Sequence, residues 1–292
     1  MTPLPAAAAE TLMALALEED LRDVGDLTSA ALIPPDLQGI VQIVARRAGI
    51  LAGGGIAQRV FQKVDPRTRF LRFVDDGARL EPQMVVAEVH GAVAALLTAE
   101  RTALNFLTHL SGIATLTRRF VDAAAGTRAR ILDTRKTIPG WRTLAKYAVA
   151  CGGGTNHRMG LHDGVLIKDN HLGAWTSGAD RASIAAAVRH ARSVSPAGIS
   201  IEVEVDSLAQ LEDALAGDPD IVLLDNMSTD TMREAVKIRN ERAPKVLLEA
   251  SGGVTLQTVA PIAQTGVERI SVGGLTHSAP ALDLAFDWIR RG

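Results

Sequence analysis

The chain has 292 residues, 47% hydrophobic and 22% charged, which supplies a substantial core and length for one large domain plus a smaller one. Its 31 basic and 33 acidic residues nearly cancel to a net charge of −2, so no global field marks nucleic acid or an anionic membrane as a partner, and any anion site must be local. The single cysteine, Cys151, excludes an intrachain disulfide and a cysteine-based zinc cluster. The N-terminus has no basic stretch before an apolar core, and no apolar run reaches the roughly 18 residues of a membrane span, so the expectation is a cytoplasmic protein.

In chain order, Leu12 to Leu21 predicts a helix, and Ile40 to Ala45 and Met84 to Val89 predict antiparallel strands, being short β-branched runs bounded by Gly and Pro. From Ala94 onward, Leu97, Leu104, Leu107, Leu110 and Ile113 recur three or seven apart, the stripe of a long amphipathic helix linking two domains. Beyond about residue 125 short apolar runs alternate with helical stretches, the pattern of parallel βα units. The runs are Ala129 to Thr134, Gly164 to Asp169, Ser200 to Asp206, Ile221 to Asn226, Lys245 to Ser251 and Arg269 to Gly274. Between them Ser183 to Ser193, Leu208 to Leu215, Thr229 to Arg239 and Leu256 to Gln264 read as helices.

Arg135, Lys136, Lys168, Glu204, Asp225, Ser251 and Gly273 fall in or at the carboxyl ends of these runs. An open sheet gathers chemistry at one switch point, whereas a closed barrel draws it from nearly every strand, so the pattern predicts an irregular, incomplete α/β barrel.

The stretch from Asp133 to His171 concentrates Arg135, Lys136, Arg142, Lys146, His157, Arg158 and Lys168 around Gly152, Gly153 and Gly154. A lone cation on a surface is most often solvated, but clustering at strand ends beside glycines predicts a pocket for a ligand with several negative charges. His157 reads as a hydrogen-bond donor to that anion, since no second histidine or carboxylate stands at helical ligand spacing from it. Ser251-Gly252-Gly253 and Gly273-Gly274 end the last two strands, where barrels bind phosphate through backbone N–H groups. Glu202 and Glu204 alternate along IEVEV and share a face, and Asp225 ends the next run. Glu204 and Asp225 could hold sugar hydroxyls or hydrated Mg²⁺, or form a buried pair with lysines.

DTRKTIPGWRTLAKYAVACGGGTNHRMGLHDGVLIKDNH resembles the central motif of the quinolinate phosphoribosyltransferases, and ALEEDLRDVGDLTS, TAERTALNFLTHLSGIAT, IEVEVDSL, LLDNM, LEASGG and SVGGLTHSAPALD extend the likeness across the chain. The resemblance implies an N-terminal α/β sandwich over 1–112, completed by a C-terminal helix within 276–292, and a six- or seven-stranded α/β barrel over 113–275. It implies joining of quinolinate to phosphoribosyl pyrophosphate with loss of CO₂, giving nicotinate mononucleotide, with Mg²⁺ as cofactor. It further implies a homodimer with a shared active site, a higher oligomer being open, and no nucleic-acid or membrane partner. Carried over, Arg135, His157, Arg158 and Lys168 bind quinolinate, with Arg101 reaching into the neighbouring subunit's site. Lys136, Glu204 and Asp225 handle phosphoribosyl pyrophosphate and its metal, and Ser251, Gly252, Gly253, Gly273 and Gly274 form the 5′-phosphate loops. Gly274 stands where alanine is commoner, Trp141 where a smaller apolar residue is usual, and Arg46-Arg47 replaces an arginine-acid pair. The rival readings are the fold-sharing relatives of molybdate-uptake clusters, a Schiff-base barrel using Lys168, and a noncatalytic anion-binding module.

Overall fold

The computed structural model describes residues 3–175 and 183–289. Its chain divides into two compact units, one made of 1–118, 137–153 and 274–292, the other of 119–136 and 154–273. The first unit opens on the helix Ala6–Leu21 and contains the strands β1 (Gln38–Ala45), β2 (Gly49–Ile50), β3 (Arg69–Arg72), β4 (Arg79–Leu80) and β5 (Val85–Ala92). As the two β-branched runs predict, β1 and β5 pair antiparallel, with Val41 opposite Val89. The predicted leucine stripe lies on one helix, Val93–Ala123, whose Leu104, Leu107, Leu110 and Ile113 are buried.

A buried carboxylate ties this unit together. Asp76 accepts hydrogen bonds from the N–H groups of Gly53 (3.0 Å) and Gly54 (2.9 Å) and from the Tyr147 hydroxyl (2.6 Å). Tyr147 stands on the helix Arg142–Cys151, so this contact is one reason why residues 137–153 pack with the first unit. A hydrogen bond to a buried charge contributes about 2 kcal/mol. Tyr147→Phe is therefore expected to lower stability by about that amount in denaturant unfolding, and wild-type stability would show that Asp76 does not depend on it.

The second unit holds β6 (Arg130–Leu132), β7 (Val165–Ile167), β8 (Ile201–Val205), β9 (Ile221–Asp225), β10 (Leu247–Ser251) and β11 (Arg269–Ser271). They form one parallel sheet in the order β6-β11-β10-β9-β8-β7. The free edge of β6 carries a single-residue parallel bridge from Leu132 to Thr155, the rudiment of a seventh strand. Two residues further on, His157 Nε2 lies 3.2 Å from Glu202 of β8. In a flat sheet β8 stands four strands from β6, about 19 Å at the usual strand spacing, so the sheet curls on itself into an α/β barrel whose opening, among the described residues, lies beside β7. The helices Ile184–Val194, Leu208–Leu215 and Thr229–Arg242 that cover it begin at Ser183, Ser207 and Ser228, whose hydroxyls accept from the N–H groups of Ala186, Gln210 and Thr231.

One expectation fails. The C-terminal segment read as a helix is strand β12 (Leu284–Trp288) of the first unit, antiparallel to β1 with Val41 opposite Trp288 and Ala45 opposite Leu284. Strand β1 has one edge on β5, and its other edge needs a hydrogen-bonding partner that a helix cannot supply. Phe286 and Trp288 suit a pleated surface, and the Phe286 ring stacks 6.0 Å from Phe61. Ahead of it, Gly274–His277 is a single helical turn; residues 290–292 of the expected segment lie outside the described residues.

Candidate active site

Side chains alternate along each barrel strand, so Leu166 and Lys168, Leu223 and Asp225, Glu249 and Ser251, and Arg269 and Ser271 share faces in pairs. At the carboxyl ends the sheet encloses a cavity of about 330 Å³ lined by Thr134, Arg135, Lys136, His157, Arg158, Leu166, Lys168, Leu223, Glu249, Ser251 and Ser271. Four of the predicted cations, Arg135, Lys136, Arg158 and Lys168, therefore meet His157 in one place, over an aliphatic wall supplied by Leu166 and Leu223. A larger groove of about 770 Å³ lies across the strand ends of the first unit, beside Gln38, His90 and Trp288, but its one titratable group, His90, is paired with Glu88 at 2.6 Å.

Within the cavity, burial and the neighbouring Arg135 cation hold the Arg158 guanidinium below its ordinary pKa. Its Nη1 donates to the Gly164 carbonyl at 2.7 Å, fixing the fork. The Arg135 Nε–H is buried with no hydrogen-bond acceptor among the described residues. Two guanidiniums set side by side, one with an unmet donor, form a receptor for an anion with more than one carboxylate.

His157 is held from both ends. Its Nδ1 accepts the Arg158 N–H at 2.8 Å, and its Nε2 faces Glu202 at 3.2 Å and Glu249 at 3.4 Å. Burial opposes a charge on this ring, and the neighbouring carboxylates of Glu202 and Glu249 more than reverse that, pushing its pKa up to about 9. The Arg158 N–H pulls the other way, because at 2.8 Å it leaves no room for a hydrogen on Nδ1, so the geometry is that of the neutral Nε2–H ring. Burial pushes Glu202 above the usual carboxylate range, whereas His157 and Arg269 hold Glu249 below it against its own burial. These three side chains bring ligand-type atoms within 4.8 Å of one another, but an Nε2 that carries the hydrogen has no lone pair there for a metal ion. Spacing in the sequence could not reveal this group, because its members come from separate strands.

Lys168 Nζ contacts the Glu204 carboxylate, which joins the cation-lined cavity to a second one of about 240 Å³ lined by Asp169, Glu204, Asp206, Gln210 and Asp225. Asp225 is braced by Asn226, whose side-chain N–H donates to it at 2.8 Å and whose backbone N–H donates to Ser251 at 2.9 Å. Gly252 packs beneath Asn226 in a left-handed conformation, φ +93°, and Gly253 follows at φ +58°. Gly273 lies two residues beyond the end of β11, and Gly274 opens the helical turn Gly274–His277. Arg101 lies on the long helix in the first unit, exposed, with Glu100 at 3.9 Å. Sequence reading passed over Asn226, Glu249 and Arg269; the acid interrupting the apolar run of β10 was the visible sign of Glu249.

Comparison with known proteins matches residues 26–111 to the quinolinate phosphoribosyl transferase N-terminal domain and 113–287 to its C-terminal domain. The chain belongs to the quinolinate phosphoribosyltransferase family. It is 47% identical to a Mycobacterium leprae nicotinate-nucleotide pyrophosphorylase (carboxylating) over 96% of this chain and 97% of that one. A Bacillus subtilis protein with the same name, there qualified as probable, is 42% identical over 91% and 90%. Among solved structures, the Francisella tularensis nicotinate-nucleotide pyrophosphorylase superposes with a TM-score of 0.91 at 38% identity, covering 98% of both chains. The family's two named domains meet between residues 111 and 113, within the long helix. Among the described residues no helix is long and apolar enough to cross a membrane.

Proposed function

We propose that this member of the family transfers the phosphoribosyl group of phosphoribosyl pyrophosphate to quinolinate with decarboxylation, giving nicotinate mononucleotide, pyrophosphate and CO₂ in the de novo synthesis of NAD. The observation that carries the reading is the pairing of Arg135 with Arg158 in one cavity beside Lys168, with the buried Arg135 Nε–H lacking an acceptor. Quinolinate carries two adjacent carboxylates on a flat ring, and such a ligand answers both guanidiniums while its ring rests on Leu166 and Leu223.

In this reading Arg135, Arg158 and Lys168 hold quinolinate with its nitrogen toward the anomeric carbon, and Lys136 neutralises charge on the leaving pyrophosphate. His157, expected to donate to the anion, instead has Nδ1 on the Arg158 N–H and Nε2 toward Glu202 and Glu249, so in this reading it anchors the Arg158 backbone behind them. Nitrogen attack breaks the bond to pyrophosphate, and Glu204 and Asp225 stabilise positive charge developing on the ribose. The pyridinium then draws electrons from the C2–carboxylate bond, CO₂ leaves, and the pair left on C2 takes up a proton. Ser251, Gly252, Gly253, Gly273 and Gly274 are assigned to the 5′-phosphate. The hard oxygen donors Glu204 and Asp225, with Asp169 and Asp206 beside them, suit Mg²⁺, which when bound supplies charge neutralisation for pyrophosphate. We take the enzyme to be a cytoplasmic homodimer.

The test is to incubate the protein with quinolinate, phosphoribosyl pyrophosphate and Mg²⁺ and follow nicotinate mononucleotide and CO₂ together. Equal, Mg²⁺-dependent appearance of both is expected; folded protein without turnover would overturn the assignment. For the shared site, Arg101→Ala and Lys168→Ala subunits, each inactive alone, are expected to regain activity when mixed into hybrid dimers. Hybrids that form and stay inactive would confine Arg101 to its own subunit.

A further inference from the structure

His157 is the partition between two cavities of the barrel. Above it lies the cation-lined cavity. Below it, toward the amino ends of the strands, lies a smaller one of about 180 Å³ lined by Asn156, Asp163, Glu202 and Arg269, with His157 and Arg158 common to both. Glu202 and Arg269 line the lower cavity and Glu249 the upper one, and none of the three takes part in the proposed phosphoribosyl transfer. Glu249 is fully buried and Glu202 is 4% exposed, and each keeps one carboxylate oxygen without a hydrogen bond. A buried ion pair adds little stability over an apolar pair of the same volume, so stability alone does not account for two such acids.

Their contacts run in one direction. Arg269 Nε donates to Glu249 at 2.7 Å. Glu249 and Glu202 flank His157 Nε2 from β10 and β8, and the Asp133 carboxylate accepts the His157 backbone N–H at 2.9 Å. His157 Nδ1 then takes the Arg158 N–H, and the Arg158 fork closes on Gly164. Arg158 faces a like charge on Arg135, set against the opposite charges of Glu202 and Asp163.

We propose that Glu249, with Glu202 and Arg269, is a positioning unit: it centres His157 and so fixes the Arg158 backbone and guanidinium, presenting quinolinate with a preset pair of cations. The inference rests on the functional reading above. Presetting matters because a site whose like charges must be gathered on binding loses affinity by the work of gathering them.

The experiment compares wild type with Glu249→Gln and with the double variant Glu249→Gln/Arg269→Gln, in which no arginine is left uncompensated. Steady-state kinetics, calorimetric quinolinate binding and thermal unfolding are read for each. Glu249→Gln is expected to raise the KM and Kd for quinolinate by about tenfold or more, with the KM for phosphoribosyl pyrophosphate within about twofold. The double variant is expected to recover thermal stability while the quinolinate KM stays raised, a split that a merely structural ion pair does not produce. Wild-type quinolinate KM in Glu249→Gln, or recovery of KM together with stability in the double variant, would overturn the inference while the functional reading stood. Wild-type protein without turnover would overturn both.

Discussion

Arg158→Met is expected to cut kcat/KM for quinolinate by about two to three orders of magnitude without lowering Tm. Two charge-assisted hydrogen bonds from a guanidinium fork to a carboxylate are worth about 3–4 kcal/mol together, which corresponds to that loss. The effect on stability has the opposite tendency. In the free protein Arg158 is held below its ordinary pKa by burial and by Arg135, so removing it relieves a repulsion, which offsets the lost bond to the Gly164 carbonyl. Arg158→Lys should recover only part of the activity, because a point charge cannot reproduce a fork. Kinetics in both substrates with thermal unfolding check this. A variant that loses stability and leaves the quinolinate KM untouched would assign Arg158 to the scaffold and leave the dicarboxylate to other cations.

Gly252→Ala is expected to be the most damaging change at the proposed phosphate loops. A Cβ there would lie 2.1 Å from the Asn226 side-chain oxygen and 3.0 Å from its backbone nitrogen, on a residue with φ +93°. The backbone strain costs about 1–2 kcal/mol, and Asn226 must move, which releases its brace on Asp225. The expected outcome is a loss of about 2–3 kcal/mol in unfolding free energy and a large rise in the KM for phosphoribosyl pyrophosphate. Gly253→Ala is the control. Its Cβ would meet no heavy atom within 4 Å, so it carries only the φ +58° strain, and any rise in KM reports on the ligand and not on the fold. Equal, wild-type values for Gly252→Ala would remove both the packing argument and the phosphate assignment of that loop.

The barrel was legible because its strands are short apolar runs that end in polar residues at a regular place. The runs predicted at 200–206 and 221–226 correspond to β8 and β9 within one or two residues, and the helix Leu208–Leu215 matches at both ends. The cation cluster was legible as well, since Arg135, Lys136, His157, Arg158 and Lys168 crowd a stretch of an otherwise balanced chain. The C-terminal strand was not. Leu284 to Trp288 is a short mixed run whose state depends on the open edge of β1, far away in sequence.

Local pattern by itself determined which residues form the parallel strands and which cations lie near their ends, because periodicity and turn chemistry act over a few residues. Only the tertiary structure decided what those residues face. Curling of the sheet brings Glu249 of β10 and Glu202 of β8 onto a histidine beside β6, and sets two like-charged arginines in one cavity. Such contacts join residues up to about ninety positions apart, as between His157 and Glu249, and their energies come from burial and mutual distance, which one-dimensional spacing does not contain.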